Sequence, residues 1–198
     1  MKKITRSMVP FFALVAFSAA LAGCVSKAPT AAPQAASPTV AAKPEAPQSP
    51  PATAATKLDG AELTIHYSSP AMRGRAIMGG LVPYGQVWRT GANAATSFVT
   101  TGKLKIGTLD VPAGSYTIFT VPAAPGKPWQ LIVNKQTGQW GLAYKQDMDL
   151  GRTPMKYEKL AAPQESMTIS FEKTTKDSTE LHVKWETTDV SVKVEAKK

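Results

Sequence analysis

Apolar and polar residues alternate with a period of two along most of the chain beyond residue 57, and this pattern constrains the fold more than any other feature. In AELTIHYS, for example, Leu63, Ile65 and Tyr67 alternate with polar residues, as in a strand with one buried face. No segment carries the apolar spacing of an amphipathic helix over more than a turn or two. Similar strands are predicted in five further segments, GSYTIFTV, WQLIVN, SMTISFEK, TELHVKWET and DVSVKVEA.

The turns between these segments complete the predicted fold. TSFVTT and KLKIG flank Gly102 like the arms of a hairpin, and LDVPAG, APGKP and TTKDS have the compositions of turns. Many short strands with turns between them favour an antiparallel β-sandwich, of jelly-roll or immunoglobulin-like strand order. Residues 57–198 have the length of one domain with a single core. The sequence therefore predicts a single all-β domain.

The N-terminus has the features of a bacterial secretory signal. Basic residues in MKKITRS precede an apolar run from Met8 to Gly23, which is too short for a comfortable membrane span. The run ends in Leu-Ala-Gly-Cys, which resembles the lipobox of bacterial lipoproteins, whose cysteine becomes the lipid-modified first residue of the mature chain. Residues 1–23 are therefore predicted to be a signal peptide. Cys24, the only cysteine in the chain, is predicted to carry the lipid, with acyl chains such as palmitate.

The segment that follows has the composition of a tether. More than half of residues 25–56 are Ala or Pro and none is aromatic, so the segment cannot bury enough apolar surface to offset its ordering entropy. Residues 24–56 are accordingly predicted to comprise the lipidated cysteine and a disordered tether. Val25, and not an aspartate, follows the cysteine, which favours an exported protein anchored in the outer membrane and facing the periplasm.

Charge and motif content disfavour several classes of function. The formal net charge of +9 includes the basic residues of the signal peptide, and charges of both signs are interspersed in the rest, which disfavours nucleic acid as a partner. No nucleophile elbow, zinc-protease, phosphate-loop or dinucleotide-binding motif occurs. No cofactor and no metal site is predicted: His66 and His182 occupy outward strand positions, and Asp147 and Asp149 lack the further carboxylates of a calcium loop.

The stretch GGLVPYGQVWRTGAN, residues 79–93, contains the main candidates for ligand binding. Its four glycines and one proline favour an irregular loop of fixed shape. Such a loop would present Tyr84, Trp88, Arg89 and Asn93 to a sugar face, to hydroxyls or to an anionic group. Alternatively, Trp88 enters the core and Arg89 bonds the carbonyls of its own loop.

Three more candidates lie outside this loop. Arg73 and Arg75 would point to the same side of an extended segment, and together with Arg89 they could form a site for a carboxylate or phosphate. The alternative is that these arginines are solvated or tie two loops together. Trp140, in NKQTGQWG, is either a platform for a sugar or a lid over one end of the core.

Three segments resemble one bacterial family in order and spacing. They are YSSPAMRGRAIMGGLVPYGQVWRTGANAATSFVTT, LDVPAGSYTIFTVP and WQLIVNKQTGQWG, in which the motif VPYGxVWRTGAN is the most specific feature. They are similar to the bacterial domain-of-unknown-function family 2911, and the resemblance extends from about Ala61 to the final strand. The resemblance implies a secreted or surface-anchored protein and supplies no reaction, substrate or cofactor.

The favoured function is therefore that of a non-catalytic, lipid-anchored envelope protein. Its ligand would be a glycan, a peptidoglycan fragment or another envelope protein, bound through the glycine-rich loop. One alternative is an envelope hydrolase or other enzyme with a site among Arg73, Arg89, Asn93, His66 and the aspartates. Another is a structural or assembly lipoprotein that acts through an exposed sheet edge.

Overall fold

The computed structural model describes residues 48–198, which form an all-β domain. Its strands are β1 Pro51–Leu58, β2 Ala61–Ser68, β3 Ser97–Thr100, β4 Leu104–Ile106, β5 Leu109–Val111, β6 Gly114–Val121, β7 Trp129–Asn134, β8 Asp149–Glu172 and β9 Ser178–Ala196. Neighbouring strands pair antiparallel across one sheet, in the order β1-β2-β3-β6-β7-β8-β9-β4-β5. The predicted all-β antiparallel class is thus confirmed. Nothing helical in the described part of the chain is long and apolar enough to span a bilayer.

The first strand begins earlier than the sequence suggested. β1 starts at Pro51 and pairs along its whole length with β2, from Pro51 opposite Ser68 to Leu58 opposite Ala61. The boundary predicted at residue 57 therefore lies inside a strand, and residues 51–56 do not belong to a disordered tether. Composition misled because β1 lies at the end of the sheet, where proline as the first residue of a strand is tolerated. The predicted signal peptide, the lipidation of Cys24 and the tether up to residue 47 lie outside the described residues.

The hairpin predicted around Gly102 is wrong. β3 pairs with β2 and β6, whereas β4 pairs with β5 and β9. At Gly102 the chain instead passes from β3, which lies between β2 and β6, to β4, which lies between β9 and β5. A Cβ at Gly102 would lie 2.6 Å from the Cβ of Ala61. LDVPAG is also more than a turn, because its first residues form β5. Local turn composition marked a change of direction but could not specify the strand partners.

The two longest strands, β8 and β9, connect β7 to β4 in the sheet. β8 pairs with β7 as far as Met155 and with β9 from Lys156 onwards. β9 includes two segments that the sequence predicted as separate strands, TELHVKWET and DVSVKVEA. The register between β8 and β9 shifts on both sides of Gln164, whose side-chain amide donates to Thr168 Oγ1 at 2.7 Å and to the Ser166 carbonyl at 2.8 Å. These side-chain hydrogen bonds supply partners where the ladder is interrupted.

The segment that follows β2 also meets β8. The Met167 N–H donates to the Pro70 carbonyl at 2.9 Å, and the Met72 N–H donates to the Glu165 carbonyl at 2.8 Å. All nine strands contribute to one hydrophobic core, from Ala54 to Val194. A chain that begins after Cys24 therefore retains every residue of this core.

His182 is buried, although the sequence placed it on the surface. Its side of β9 faces away from the core, but charged neighbours cover the ring, and only 5% of the residue is exposed. His182 Nδ1 donates to Asp189 Oδ1 at 2.8 Å, and Nε2 lies 3.2 Å from Glu180 Oε2. Lys184 Nζ donates to Glu172 Oε1 at 2.6 Å beside it. Alternation gives the face of a strand correctly but does not show what covers that face.

Candidate functional site

A cleft of about 560 Å³ opens beside the glycine-rich loop. Its walls come from residues 48–49 at the start of the described chain, from residues 70–93, and from residues 141–144. Five of the predicted site residues line it: Arg73, Arg75, Trp88, Arg89 and Asn93. The other aromatic lining residues are Phe119, Tyr144 and Trp185. The sequence therefore singled out the three charged residues of this lining, and the fold brings them together.

The loop of residues 79–93 continues the sheet where β3 stops. Trp88 exchanges two backbone hydrogen bonds with Thr120 of β6, at 2.8 and 2.9 Å, and the Gly85 N–H donates to the Pro122 carbonyl at 2.8 Å. The Ile118 N–H, next along β6, donates to the Thr96 carbonyl at 3.0 Å. The loop thus satisfies the free edge of β6, which fixes its position relative to the core.

Stacked tryptophans form the inner wall of the cleft. Trp88 stacks on Trp185 of β9, with ring centroids 6.0 Å apart and planes 19° apart. It also meets Trp129 of β7 edge to face, at 6.4 Å and 80°. The indole of Trp185 donates to the Glu165 carbonyl at 3.1 Å. Both interpretations of Trp88 therefore apply, because its half-buried ring packs on the core and also lines the cleft.

Each of the three arginines donates one or two hydrogen bonds to backbone carbonyls. Arg73 Nη2 donates to Gln48 at 3.0 Å. Arg75 donates from Nε to Met72 at 3.0 Å and from Nη2 to Ala71 at 2.8 Å. Arg89 Nε donates to Gly91 at 3.3 Å. A guanidinium has five N–H donors, so each keeps further donors while its charge remains.

No carboxylate neutralises these guanidinium groups within the described residues. None of the three lies within 4.0 Å of an Asp or Glu oxygen from residue 48 onwards. Glu165 is the nearby acid, and it accepts the backbone N–H of Arg73 at 2.8 Å. The cleft lining, as described, contains no Asp, Glu, His or Cys. The site is therefore electropositive, with apolar and aromatic walls.

Three of the six non-glycine residues with a left-handed backbone in the described chain lie in or next to the segments that line this cleft. Arg73, Thr90 and Asn93 have φ angles of 50°, 54° and 59°, a region that costs a non-glycine residue about 1 kcal/mol or more. The side-chain amide of Asn93 donates to Ser68 Oγ at 3.4 Å, and the backbone carbonyl of Asn93 accepts the Gly141 N–H at 3.1 Å. Surrounding contacts thus hold Asn93 in this conformation, beside the end of β2.

Gly141 lets a second loop approach the arginine loop closely. A Cβ at this position would collide with Cδ of Arg89 and would lie 2.7 Å from the Asn93 carbonyl oxygen. Only a residue without a side chain allows this approach. The position of Arg89 in the cleft therefore depends on a glycine about fifty residues further along the chain.

Tyr144 forms a wall of the cleft that is fixed from behind. Its hydroxyl donates to Asp149 Oδ2 at 2.7 Å and accepts from Arg152 Nη2 at 2.7 Å. Burial, and then the Asp149 carboxylate, raise the pKa of Tyr144, so this phenol stays neutral at physiological pH. Asp149 also accepts from the Asn134 amide at 2.8 Å. This aspartate is thus committed to a hydrogen-bonded network behind the wall.

Two predicted site residues lie elsewhere. Tyr84 lines a smaller pocket of about 70 Å³ beside Glu186 and Tyr157, and burial followed by the Glu186 charge raises its pKa. Trp140 is 57% exposed and does not line the cleft, although the next two residues do. It is therefore not a lid over the core. Neither residue lines the cleft with the arginines.

The histidine and the aspartates of the enzyme alternative do not join Arg73, Arg89 and Asn93 in the cleft. His66 Nδ1 lies 3.0 Å from Thr53 Oγ1 on the exposed face of the β1–β2 pair. Asp147 is exposed in the short 3-10 helix Gln146–Met148. No group of three or more His, Cys, Asp or Glu residues is arranged to hold a metal ion in the part of the chain that the structure describes.

Sequence reasoning missed the part of the cleft contributed from a distance. Leu142, Phe119, Tyr144 and Trp185 belong to other strands and loops, and no local motif links them to the glycine-rich loop. The alternation in TELHVKWET did place Trp185 on the core face, which is the one signal that pointed towards it. Proximity to Trp88 required the fold.

Comparison with known proteins gives a family and no function. The model of a family described as "Protein of unknown function (DUF2911)" matches residues 49–194, which include every strand but the last residues of β9. No curated protein and no solved structure matches the chain.

Proposed function

This chain belongs to the DUF2911 family, and we propose that its cleft binds an anionic glycan of the cell envelope without catalysing a reaction on it. The observation that carries the proposal is the convergence of Arg73, Arg75 and Arg89 on one cleft whose described lining holds no carboxylate. Guanidinium groups bind carboxylates and phosphates through paired, charge-assisted hydrogen bonds. A ligand that brings a negative charge would supply the partner that these groups lack.

The remaining walls suit a sugar-sized ligand. The volume of about 560 Å³ lies within the range of roughly 300–1,000 Å³ typical of small-molecule sites. Aromatic and aliphatic side chains line the cleft alongside the arginines, and such walls pack on the apolar face of a sugar ring. Asn93, with its side chain at the surface, adds an amide that can bond hydroxyls.

A peptidoglycan fragment combines these features. Its muramic acid has a lactyl side group that ends in a carboxylate where no peptide is attached. Where a peptide stem is attached there, that carboxyl is an amide and the stem carries the carboxylates. A neutral amino sugar has the same ring without that charge. The proposal therefore predicts selectivity for the acidic sugar over the neutral one, and this selectivity should depend on the arginines.

The location proposed for this activity is the periplasmic face of the outer membrane. Support comes from the order of basic residues, apolar run and Leu-Ala-Gly-Cys at the N-terminus. Lipidation of Cys24 would anchor the chain. Replacing Cys24 by serine should release the protein from the membrane fraction, and continued membrane association of that variant would contradict the anchor.

The test compares two sugars that differ in one charged group. Calorimetric titration of residues 25–198 with N-acetylmuramic acid and with N-acetylglucosamine should show tighter binding of the acid. Arg89→Gln removes a charge from the cleft and should weaken binding of the acid by about tenfold, because a hydrogen bond to a charged group contributes about 1.5–3 kcal/mol. Lys105→Gln, at an exposed position of β4 outside the cleft, is the matched control and should bind like the wild type.

Two results would count against the proposal. Equal affinity for both sugars would show that the arginines do not read a carboxylate of this kind. Equal losses in Arg89→Gln and Lys105→Gln would show that only overall charge matters.

A further inference from the structure

Three of the largest exposed apolar side chains line the cleft, and a fourth lies two residues along the chain from one of them. Leu81, Val87 and Leu142 line the cleft while remaining 52%, 37% and 77% exposed. Trp140, two residues before Leu142, is 57% exposed. We call these four residues the apolar rim. Within the described chain, Tyr84 is the one other large hydrophobic residue with comparable exposure.

We propose that the apolar rim is a membrane-docking surface, which seats the domain on a bilayer containing anionic lipid. Exposed leucine and tryptophan side chains are unfavourable in water, and clusters of them mark interaction surfaces. Tryptophan in particular is enriched where the headgroup layer meets the hydrocarbon of a bilayer. Two separate loops present the rim, as expected for side chains that insert shallowly and do not pack in a core.

The charge beneath the rim is complementary to such a membrane. Arg73, Arg75 and Arg89 lie in the same cleft, and no carboxylate in the described lining offsets them. Basic side chains near a surface of anionic lipid are attracted by its negative potential. In the docked state the apolar rim would contact the acyl chains, and the arginines would contact the charged headgroups.

The path of the chain favours a membrane over a second copy of the protein as the partner. Gln48 and Ser49 line the cleft, and Arg73 holds the Gln48 carbonyl at 3.0 Å. The chain therefore enters the domain on the side of the rim. An anchor at Cys24 would lie within about 75 Å of this point even for a fully extended segment, at about 3.1 Å per residue. Docking needs no glycan in the cleft, so it stands independently of the proposed ligand.

The experiment measures flotation of residues 25–198, which lack the lipidated cysteine, with two kinds of vesicle. We expect the protein to float with vesicles of phosphatidylcholine and phosphatidylglycerol, and to bind pure phosphatidylcholine vesicles more weakly. The double variant Leu81→Ser and Leu142→Ser should lower the partition coefficient for the mixed vesicles by roughly tenfold or more. Leu160→Ser, at a half-buried position of β8 outside the rim, is the control and should partition like the wild type.

Fluorescence gives a second readout. Trp140 should be quenched by brominated acyl chains in mixed vesicles, and Trp140→Phe should remove that quenching, because the other three tryptophans are buried or half-buried in the core. Calorimetry with N-acetylmuramic acid separates the two proposals. Trp140→Ser, at a rim position outside the cleft lining, should weaken flotation and keep its affinity for the sugar, whereas Arg89→Gln should lose affinity for both sugar and vesicles.

Three outcomes would overturn the docking surface. One is the absence of flotation with mixed vesicles, and another is equal flotation of the rim variant and the wild type. The third is a dimer in light scattering that the rim variant dissociates, which would show that the rim covers a second copy of the chain. Failure to bind N-acetylmuramic acid, with normal flotation, would contradict the glycan proposal alone.

Discussion

At the scale of single residues, the cleft depends on a few close approaches. Gly141 touches both Arg89 and Asn93, and two of the strained residues in the described chain, Arg73 and Asn93, are themselves lining residues. A guanidinium can bind an anion in paired geometry only if its orientation is fixed. The glycine is therefore as important to the predicted binding as the charged groups.

Gly141→Ala should weaken binding of N-acetylmuramic acid about tenfold or more, because the added methyl displaces Arg89 and the Asn93 carbonyl. Gly138→Ala, in the same loop, meets no atom within 4 Å. Its φ of 73° should cost about 1 kcal/mol of stability without moving Arg89. Calorimetry and urea unfolding of both variants test this contrast. Loss of affinity in Gly138→Ala to the same extent would mean that loop stability, and not the position of Arg89, governs binding.

The sequence predicted those site residues that lie close together along the chain. Arg73, Arg75, Trp88, Arg89 and Asn93 fall within one short window, so a loop that turns back on itself brings them near one another. Tyr84 lies in the same window and still faces another pocket. Which side of a loop a residue occupies depends on its tertiary hydrogen bonds, here those to the edge of β6, and the sequence does not encode these locally.

At the scale of elements, β8 and β9 form the most highly charged part of the fold. The pairs Lys184–Glu172 and Lys173–Glu180 flank the buried His182–Asp189 contact. Hydrogen bonding from Lys184, foremost, holds the pKa of Glu172 below its usual value of 4.5, and Lys173 does the same for the pKa of Glu180. Each carboxylate thus favours the folded state when it is ionised.

A lowered carboxylate pKa fixes the direction in which the free energy of unfolding changes with pH. The stabilisation is fully present above the unfolded pKa of about 4.5, and it is lost as the pH falls through the lower folded pKa. We therefore expect the free energy of unfolding in urea to decrease as the pH falls below about 4.5. Glu172→Gln should make this decrease shallower, since that variant has no carboxylate to protonate.

Glu62→Gln is the control for this measurement. It removes a carboxylate from the ion pair with Lys57, in which both side chains are 64% exposed, and exposed pairs contribute little. Its acid profile should follow that of the wild type. If the Glu172→Gln profile matched that of the wild type, the β8–β9 charges would not determine how the free energy of unfolding falls in acid.

The strands themselves were predictable to different degrees. β2, β6 and β7 carry clear apolar patterns and lie where the sequence placed them. β1 is rich in alanine and threonine and gains its structure from pairing with β2, so its own sequence gives little signal. The false hairpin at Gly102 has the same origin, because strand partners are chosen by the shared core and not by the turn between them.

At the scale of the whole molecule, one core unites every strand, and β1 closes one end of the sheet. Ala54 and Leu58 of β1 are buried, and the strand covers the backbone edge of β2. An uncovered, regular strand edge promotes association between chains. The folded domain therefore includes β1 and starts no later than Pro51.

A chain of residues 48–198 should unfold cooperatively, whereas residues 57–198 should lose roughly 3–5 kcal/mol of stability and associate. The shorter chain lacks most of the hydrogen bonds to β2, each of which contributes about 1 kcal/mol. Thermal circular dichroism and size-exclusion chromatography measure both effects, and residues 25–198 serve as the reference. A monomeric 57–198 chain with an unchanged melting temperature would show that β1 is dispensable.

The hydrogen bond from Arg73 to the Gln48 carbonyl also has a mechanical consequence. A pull on the chain ahead of Gln48 would load this bond before it reached the β1–β2 ladder, which begins with Pro51 opposite Ser68. Because Arg73 is shared between the incoming chain and the cleft, tension and ligand would act on the same side chain. Linkage requires that if a filled cleft changes the force needed to free Gln48, tension changes the affinity of the cleft in return. The affinity of the cleft would then depend on tension in the chain that precedes Gln48.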